Sequence, residues 1–250
     1  MIDELLSLRV VAVSPSAEER DLLRHAVSTL SVPVEFVAAD AATAAGCLAG
    51  GADIVYIDDS LAPPEIARTI AAARAALNPP FSVLLSDRES SAGPFATDAL
   101  ASRPAQPESA KRLVESSIRV RLPSRVLVVD DSVTMRSIVR KLLAGTSFPL
   151  DVSEAEEGFA ALKLVRERAV DLVFLDYNMP GFSGLETLAE FRRERRRLYV
   201  VIMTSVDDDS LAERAREQGA AFLKKPFFQA DIEAVLCRFY GLRALNVQRA

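Results

Sequence analysis

Residues 171–176 read Asp171-Leu172-Val173-Phe174-Leu175-Asp176, and the loop Tyr177-Asn178-Met179-Pro180-Gly181 follows them. A second run, Val126-Leu127-Val128-Val129-Asp130-Asp131, also ends in acidic residues. Both runs are short, rich in β-branched residues and uninterrupted by polar ones, which is typical of buried strands in a parallel sheet. They favour an α/β fold in which strands alternate with helices.

The acidic residues stand where each predicted strand ends. In an open α/β sheet the carboxyl ends of the strands form the ligand crevice, so Asp130, Asp131 and Asp176 should meet there. Clustered carboxylates repel each other unless a cation lies between them. Mg2+ suits such a cluster because it takes oxygen ligands from one or two carboxylates, from water and from a substrate phosphate. The sequence therefore predicts a magnesium site.

Composition excludes several classes of protein. The chain has 250 residues, half of them hydrophobic, which suits one large domain or two of about 125 residues. No apolar run approaches the roughly 20 residues of a membrane span, and the acidic start Met1-Ile2-Asp3-Glu4 is unlike a signal peptide. Cys47 and Cys237 lie far apart, which fits a reduced cytoplasm. With a net charge of -5, we expect a cytoplasmic protein that neither inserts into membranes nor binds nucleic acid directly.

The two halves of the chain resemble each other. The spacing from Asp58 to Ser86 is 28 residues, and so is the spacing from Asp176 to Thr204. Four matched elements in the same order indicate a duplicated fold. They are Val10–Ser14 with Leu127–Asp130, Asp53–Asp58 with Asp171–Asp176, Ser82–Ser86 with Val200–Thr204, and Arg103-Pro104 with Lys225-Pro226.

Charge separates the same two halves. Residues 1–123 carry 16 acidic and 11 basic side chains, whereas residues 124–250 carry 19 of each. We therefore predict domains at 1–122 and 123–250, with Pro123-Ser124 as a short joint that constrains the pair. Each half reads as five strand–helix units, and right-handed βαβ links favour a doubly wound, five-stranded parallel sheet in each.

Apolar periodicity places the elements of the second half. Strands are predicted near 125–129, 150–154, 172–176, 199–204 and 221–224, and helices near 133–143, 159–168, 184–195, 209–217 and 229–239. The first of these helices should bury one apolar face, made of Val133, Ile138, Val139, Leu142 and Leu143. Before the joint, a helix is predicted from Pro107 through Arg121, with apolar positions at Leu113, Val114, Ile118 and Leu122.

Residues 124–240 resemble the receiver domain of two-component response regulators, and residues 126–143 look like the opening of single-domain chemotaxis-type receivers. The similarity rests on four motifs in order at receiver spacing. They are the pair Asp130-Asp131, Asp176 followed by Asn-Met-Pro-Gly, the strand-end Thr204, and Lys225-Pro226. The resemblance implies two flavodoxin-like receiver folds in tandem.

The resemblance also implies a role for each matched acidic residue. Asp176 would accept a phosphoryl group from a histidine of a sensor kinase or of a histidine phosphotransfer protein. Asp131, Asp176 and the main-chain carbonyl of Asn178 would hold Mg2+, and Asp130 would act through a metal-bound water. This chemistry is reasonable on its own terms, because a carboxylate is a competent nucleophile and phosphoryl transfer depends on positioning and electrostatics.

Three further residues would bind the phosphoryl group or respond to it. By the same resemblance, Thr204 would bond one phosphoryl oxygen and Lys225 another. Phe222 holds the position of the aromatic residue that turns inward on activation. Two lysines, Lys224 and Lys225, are adjacent. Because the family pattern puts the site lysine directly before proline, Lys225 is assigned to the site. Thr204 moving toward the phosphoryl group would open space for Phe222, a packing change between two states.

The first half keeps the receiver layout and loses its chemistry. Ser14-Pro15 replace the acidic pair, Leu100 replaces the switch aromatic, and Arg103 stands in place of the lysine. Asp58 and Ser86 remain, and Arg103 is a fixed cation able to pair permanently with Asp58. We interpret this half as a pseudo-receiver that is not phosphorylated.

The first half is also shorter in one place. Ser86 and Arg103 are 17 residues apart, whereas Thr204 and Lys225 are 21 apart. Residues 87–94 are loop-like, so we expect a stunted or mobile fourth helix there. The altered surface is expected to dock the second half or a partner.

Three functions follow as hypotheses. The first is a response regulator, not an enzyme, that signals to a downstream protein target by contact, with the pseudo-receiver as an interaction or regulatory module. Residues 241–250 are too few for an output domain, and dimerisation is compatible with this hypothesis. The second is an aspartate-nucleophile phosphohydrolase, although such enzymes carry Asp-x-Asp rather than adjacent acids after the first strand. The third is a non-phosphorylated scaffold adaptor.

Overall fold

The computed structural model describes residues 8–87, 95–194, 198–206 and 209–244, and the chain forms two compact units. The first unit comprises Met1–Leu122 together with Tyr240–Ala250, and the second comprises Pro123–Phe239. The division after Leu122 coincides with the joint expected from the sequence. The sequence placed the residues from Tyr240 on with the second half, but they belong to the first unit. The reason is that Tyr240 is buried and Arg243 pairs with Leu100.

The first unit is a parallel sheet whose strands run in the order β2-β1-β3-β4-β5. Strand β3 is buried along its whole length, as expected for a strand covered on both faces. Its elements are β1 (Leu8–Val13), α1 (Ala17–Ser28), β2 (Val34–Ala39), α2 (Ala44–Ala49), β3 (Ile54–Asp58), α3 (Pro63–Arg74), β4 (Phe81–Leu85), β5 (Ala99–Ala101) and α4 (Pro107–Arg119).

The second unit is a five-stranded parallel sheet in the order β10-β9-β8-β6-β7. Its strands begin and end within one residue of the predicted positions, and the predicted α/β fold class is confirmed. The elements are β6 (Ser124–Val129), α5 (Val133–Ala144), β7 (Leu150–Ala155), α6 (Gly158–Glu167), β8 (Leu172–Asp176), α7 (Gly184–Arg193), β9 (Tyr199–Thr204), α8 (Asp209–Glu217), β10 (Ala221–Lys224) and α9 (Gln229–Phe239).

Two predicted apolar faces need correction. In α5, Val139 and Leu143 are buried, but Val133 and Ile138 are 69% and 43% exposed. The buried pair is spaced i,i+4, and Ile138 lies about 100° around the helix from Val139, so it faces away from the sheet. Similarly, Leu122 is exposed, because α4 ends at Arg119.

The connection from β4 to β5 runs from Ser86 to Asp98. Residues 88–94, the larger part of the segment where a stunted helix was expected, lie outside the described residues. The residues on either side of that gap, Ser86, Asp87 and 95–98, form no helix. Within the ranges that the structure describes, no helix combines the length and apolar character needed to cross a bilayer.

Candidate functional site

Three carboxylates meet at the carboxyl ends of β6 and β8. Asp130 and Asp131 follow β6, and Asp176 is the last residue of β8. The two strands pair in parallel, with Val129 opposite Leu175, which brings the acids together. One oxygen of each lies within 4.8 Å of the other two, and no other group of acidic, histidine or cysteine side chains among the described residues does so. Their oxygen ligands and spacing suit a hard divalent cation.

Lys225 joins the two buried acids of this cluster. Its Nζ donates to Asp130 Oδ2 at 2.8 Å and to Asp176 Oδ1 at 2.7 Å. Burial opposes the charge of the lysine, but its hydrogen bonds to Asp130 and Asp176 raise the pKa of Lys225 above its usual value. Burial raises the pKa of Asp176, against the lowering effect of the lysine. The ammonium group therefore stabilises two carboxylates that burial would otherwise disfavour.

Thr204 and Phe222 lie on the two neighbouring strands β9 and β10. Thr204 ends β9 and is fully buried, and its Oγ1 accepts a hydrogen bond from the Val206 N–H at 3.0 Å. Phe222 is partly buried and packs against the core of the second unit. Lys224 lies opposite Thr204 in the sheet and is exposed, whereas Lys225 is held at the acids.

Asn178 lies two residues after the end of β8 and is exposed in the loop that follows this strand. The same loop closes tightly on the strand end. A Cβ at Gly184 would lie 2.5 Å from the main-chain oxygen of Asp176, so this position requires glycine.

Arg136 is a site residue that the sequence reasoning missed. Its Nη1 donates to the main-chain oxygen of Asp130 at 2.7 Å, and its Nε donates to Glu154 Oε2 at 3.0 Å. In the first unit, Arg20 makes the matching bond to the main-chain oxygen of Ser14. Each arginine lies six residues after the residue whose main-chain oxygen it binds. Comparison of the two halves could therefore have identified Arg136 from the sequence.

In the first unit a guanidinium group closes the corresponding site. Arg103 Nη2 and Nε donate to Asp58 Oδ1 at 2.6 and 3.1 Å, and Nη2 also bonds Asp59. Ser14 Oγ donates to Asp58 Oδ2 at 2.8 Å. Asp58 is 2% exposed, and its pKa is lowered because hydrogen bonds from Ser60 and Ser14 and the charge of Arg103 outweigh the effect of burial. The structure thus brings together Ser14, Asp58 and Arg103, and buried Ser86 directly follows the neighbouring strand β4.

Glu19 on α1 is a further member of this cluster that the sequence reasoning missed. Its carboxylate lies 3.8 Å from Arg103 Nε and is 10% exposed. Burial, reinforced by the negative charge of Asp58, raises the pKa of Glu19 to about 7. When the two halves are aligned, Glu19 stands opposite Met135. An acidic residue that is present in only one half was therefore the sequence signal that could have identified Glu19 as part of this cluster.

The raised pKa of Glu19 predicts a pH-dependent stability of the first unit. Between pH 4.5 and about 7 the folded unit keeps a proton on Glu19 that the unfolded chain has lost. Raising the pH through this range therefore lowers the free energy of unfolding, by at most about 3 kcal/mol. We expect Glu19→Gln to flatten this fall, measured by urea unfolding at both ends of the range. Glu18→Gln, on the exposed side of the same turn, is the control; an unchanged fall in Glu19→Gln contradicts the assignment.

Known proteins share this architecture. A family model described as the response regulator receiver domain matches residues 126–236. The chain is 32% identical over 119 residues to chemotaxis protein CheY-3 of Vibrio cholerae, across 46% of this chain and 91% of that protein. It is 33% identical over 130 residues to the transcriptional regulatory protein PdtaR of Mycobacterium tuberculosis, across 50% of this chain and 62% of that relative. The match thus spans less than two thirds of PdtaR.

Two solved structures match nearly the whole chain. Both are described as two-component system response regulator/GGDEF domain proteins. The first is 25% identical and covers 94% of this chain and 97% of its own, with a TM-score of 0.57. The second is 23% identical, covers 94% and 98%, has a TM-score of 0.56, and bears on the fold alone. The tandem arrangement of two parallel sheets therefore has counterparts among solved structures.

Proposed function

This chain belongs to the response regulators with receiver domains, and from that membership we propose that it signals through reversible phosphorylation of Asp176. The phosphoryl group would come from a histidine of a sensor kinase or of a phosphotransfer protein, which places the protein in the cytoplasm with its donor. The single observation that carries the proposal is the convergence of Asp130, Asp131 and Asp176 with Lys225 at one edge of the second sheet.

The residues at this edge fit a magnesium ion. Asp131, Asp176 and the main-chain carbonyl of Asn178 would hold Mg2+, and Asp130 would contact it through water. When bound, the ion offsets the negative charge of the group being transferred. Asp131 is exposed whereas Asp130 and Asp176 are buried, so an ion can reach the cluster from solvent on the side of Asp131.

The residues of the chain perform the transfer itself. A carboxylate oxygen of Asp176 attacks phosphorus, the P–N bond of the phosphohistidine breaks, and the imidazole leaves with the electron pair. Lys225 already bonds Asp176 and would bond an oxygen of the attached phosphoryl group. Thr204 would donate to another oxygen and would release its bond to Val206 in turning. This motion would leave space into which Phe222 would turn, and the turn would change the surface offered to a protein target.

The first unit is proposed as an interaction or regulatory module. Asp58 lies at the end of β3, as Asp176 lies at the end of β8, but Arg103 and Ser14 occupy its carboxylate oxygens. Because Ser14 and Pro15 stand where Asp130 and Asp131 stand in the second unit, both of the carboxylates that would accompany the strand-end aspartate at a metal are missing. The output of the chain is therefore proposed to be protein–protein contact rather than turnover of a substrate.

Covalent labelling tests this proposal. Incubation of the full chain with acetyl phosphate and Mg2+ should incorporate phosphoryl groups to a limit of one per chain, and chelation of the metal should prevent it. The adduct should be sensitive to hydroxylamine, as a mixed anhydride is. Borohydride reduction followed by peptide mass spectrometry should convert Asp176 to homoserine. Conversion of Asp58 instead, or labelling that does not need a divalent cation, would reject the assignment.

A further inference from the structure

A cavity of about 260 Å3 lies in the first unit, and it shares Arg103 with the carboxylate cluster of that unit. Its walls are the end of β5 and the residues that follow it, one face of α4, and the segment of residues 240–244. Three arginines and three serines supply its polar lining: Ser102, Arg103, Ser109, Arg112, Ser116 and Arg243. No acidic side chain among the described residues belongs to the lining. Residues 1–123 carry five more acidic than basic side chains. The positive charge of the cavity lining is therefore opposite in sign to the net charge of this half of the chain.

The 240–244 segment is a fixed wall of this cavity. The Leu100 N–H donates to the Arg243 oxygen and the Arg243 N–H donates to the Leu100 oxygen, both at 2.8 Å. Leu242 is 3% exposed. Gly241 has a φ of 75°, and a Cβ at this position would lie 3.2 Å from Ser116 Oγ, so glycine lets the segment pass close to α4. Backbone pairing therefore fixes this wall of the cavity in place.

The cations of the cavity are held in different ways. The guanidinium of Arg103 is bound to Asp58 and Asp59, and Arg243 donates to the main-chain oxygen of Ser86. Arg112 is tied only by its Nε, which donates to the Glu108 oxygen at 3.3 Å. Among the residues that the structure describes, the terminal nitrogens of Arg112 meet no carboxylate. They remain able to bind an anion from solution.

Two serine hydroxyl groups of the cavity lining are also able to bind an anion. Ser109 Oγ is engaged, since it donates to the Gln106 oxygen at 2.7 Å. By contrast, Ser102 and Ser116 make no side-chain hydrogen bond within the described parts of the chain. Together with Arg112 they form a set of hydrogen-bond donors that line one cavity and are not used by the fold.

We propose that this cavity binds a small anion that carries a phosphate group. Guanidinium and hydroxyl donors match the several acceptor oxygens of phosphate, and a guanidinium can bond two of them at once. The volume lies below the roughly 300–1,000 Å3 of pockets for drug-sized ligands, which favours a compact ligand such as pyrophosphate or a mononucleotide. The site is independent of Asp176 and gives the degenerate unit a ligand of its own.

The test uses isothermal titration calorimetry on the full chain without Mg2+, in an Asp176→Asn background that removes the second unit's site. Pyrophosphate is the first probe, and AMP and inorganic phosphate follow it. The variant is Arg112→Glu. Its matched control is Lys111→Glu, which makes the same charge change on the same helix at a residue that is exposed like Arg112 but lies outside the cavity lining. We expect Arg112→Glu to weaken binding about 10- to 100-fold, as loss of a charge-assisted hydrogen bond predicts. Lys111→Glu should weaken it less than about threefold.

The outcomes distinguish specific binding in the cavity from nonspecific electrostatic attraction of the anion to the protein surface. Absence of pyrophosphate binding at millimolar concentration would overturn the proposal, and so would equal weakening by the two variants, because it would indicate diffuse charge attraction. A second variant, Ser116→Ala, removes a hydroxyl without changing charge and should weaken binding several-fold. Tighter binding of AMP than of pyrophosphate would assign the ligand as a nucleotide, and the reverse would assign it as a simple phosphate. Circular dichroism of each variant verifies that the first unit stays folded.

Discussion

Asp176→Asn will reduce phosphoryl incorporation to assay background, at least about 100-fold below the wild-type chain, because an amide is a poor nucleophile toward phosphorus. The change is close to isosteric, so the packing at the end of β8 should survive it. Lys225 keeps Asp130 as its partner, at 2.8 Å, so the site is not left with a lone buried cation. The measurement is labelling by a radioactive small phosphodonor in the presence of Mg2+.

Asp58→Asn is the matched control for this experiment. Asp58 ends its strand and is buried like Asp176, but its carboxylate is bonded by Arg103 and Ser14. We expect wild-type labelling in this variant. Full labelling of Asp176→Asn would remove the phosphoacceptor assignment, and loss of labelling in a folded Asp58→Asn would mean that the first unit takes part in the transfer.

Arg103→Ala is expected to destabilise the first unit by about 2–3 kcal/mol, because it leaves Asp58, Asp59 and Glu19 without their shared cation. Loss of one partner of a fully buried ion pair costs more, about 3–5 kcal/mol. The lower figure applies here because the side chain of Arg103 is 31% exposed and water screens part of the effect. Urea unfolding of the full chain at neutral pH measures the change.

Two further variants make this prediction specific. Arg103→Lys should recover part of the lost stability, since an ammonium group restores the charge but cannot match the planar contacts of a guanidinium to several carboxylates. Arg24→Ala removes an exposed ion pair with Asp21 and should change the free energy of unfolding by less than about 1 kcal/mol. If Arg103→Ala unfolds at the same urea concentration as the wild-type chain, Arg103 is not the element that closes the first site.

The positions of the strands followed directly from the sequence. A parallel strand that is covered on both faces needs an unbroken apolar run, and Leu172–Asp176 is buried at every position. The acids of the second site could be placed by the same reasoning. They follow the runs directly, and all strands of a parallel sheet present their carboxyl ends at one edge.

The helix faces were predicted less well. Val133 and Ile138 fit an apolar stripe by spacing, but α5 covers the sheet only along the line of Val139 and Leu143. Which part of an apolar stripe is buried depends on how the helix crosses the sheet, and this is a property of packing rather than of period. Glu19 escaped prediction for a similar reason, because its partners Arg103 and Asp58 lie far away in sequence.

The sequence by itself determined a doubled α/β fold and the chemical difference between its halves, since local apolar runs and strand-end residues encode both. Only the tertiary structure decided that Tyr240 and Arg243 complete the first unit rather than the second. That choice depends on backbone hydrogen bonds between Arg243 and Leu100, at the edge of the three-residue strand β5. Backbone pairing at an open sheet edge requires no particular side chains, so it leaves no pattern in the sequence.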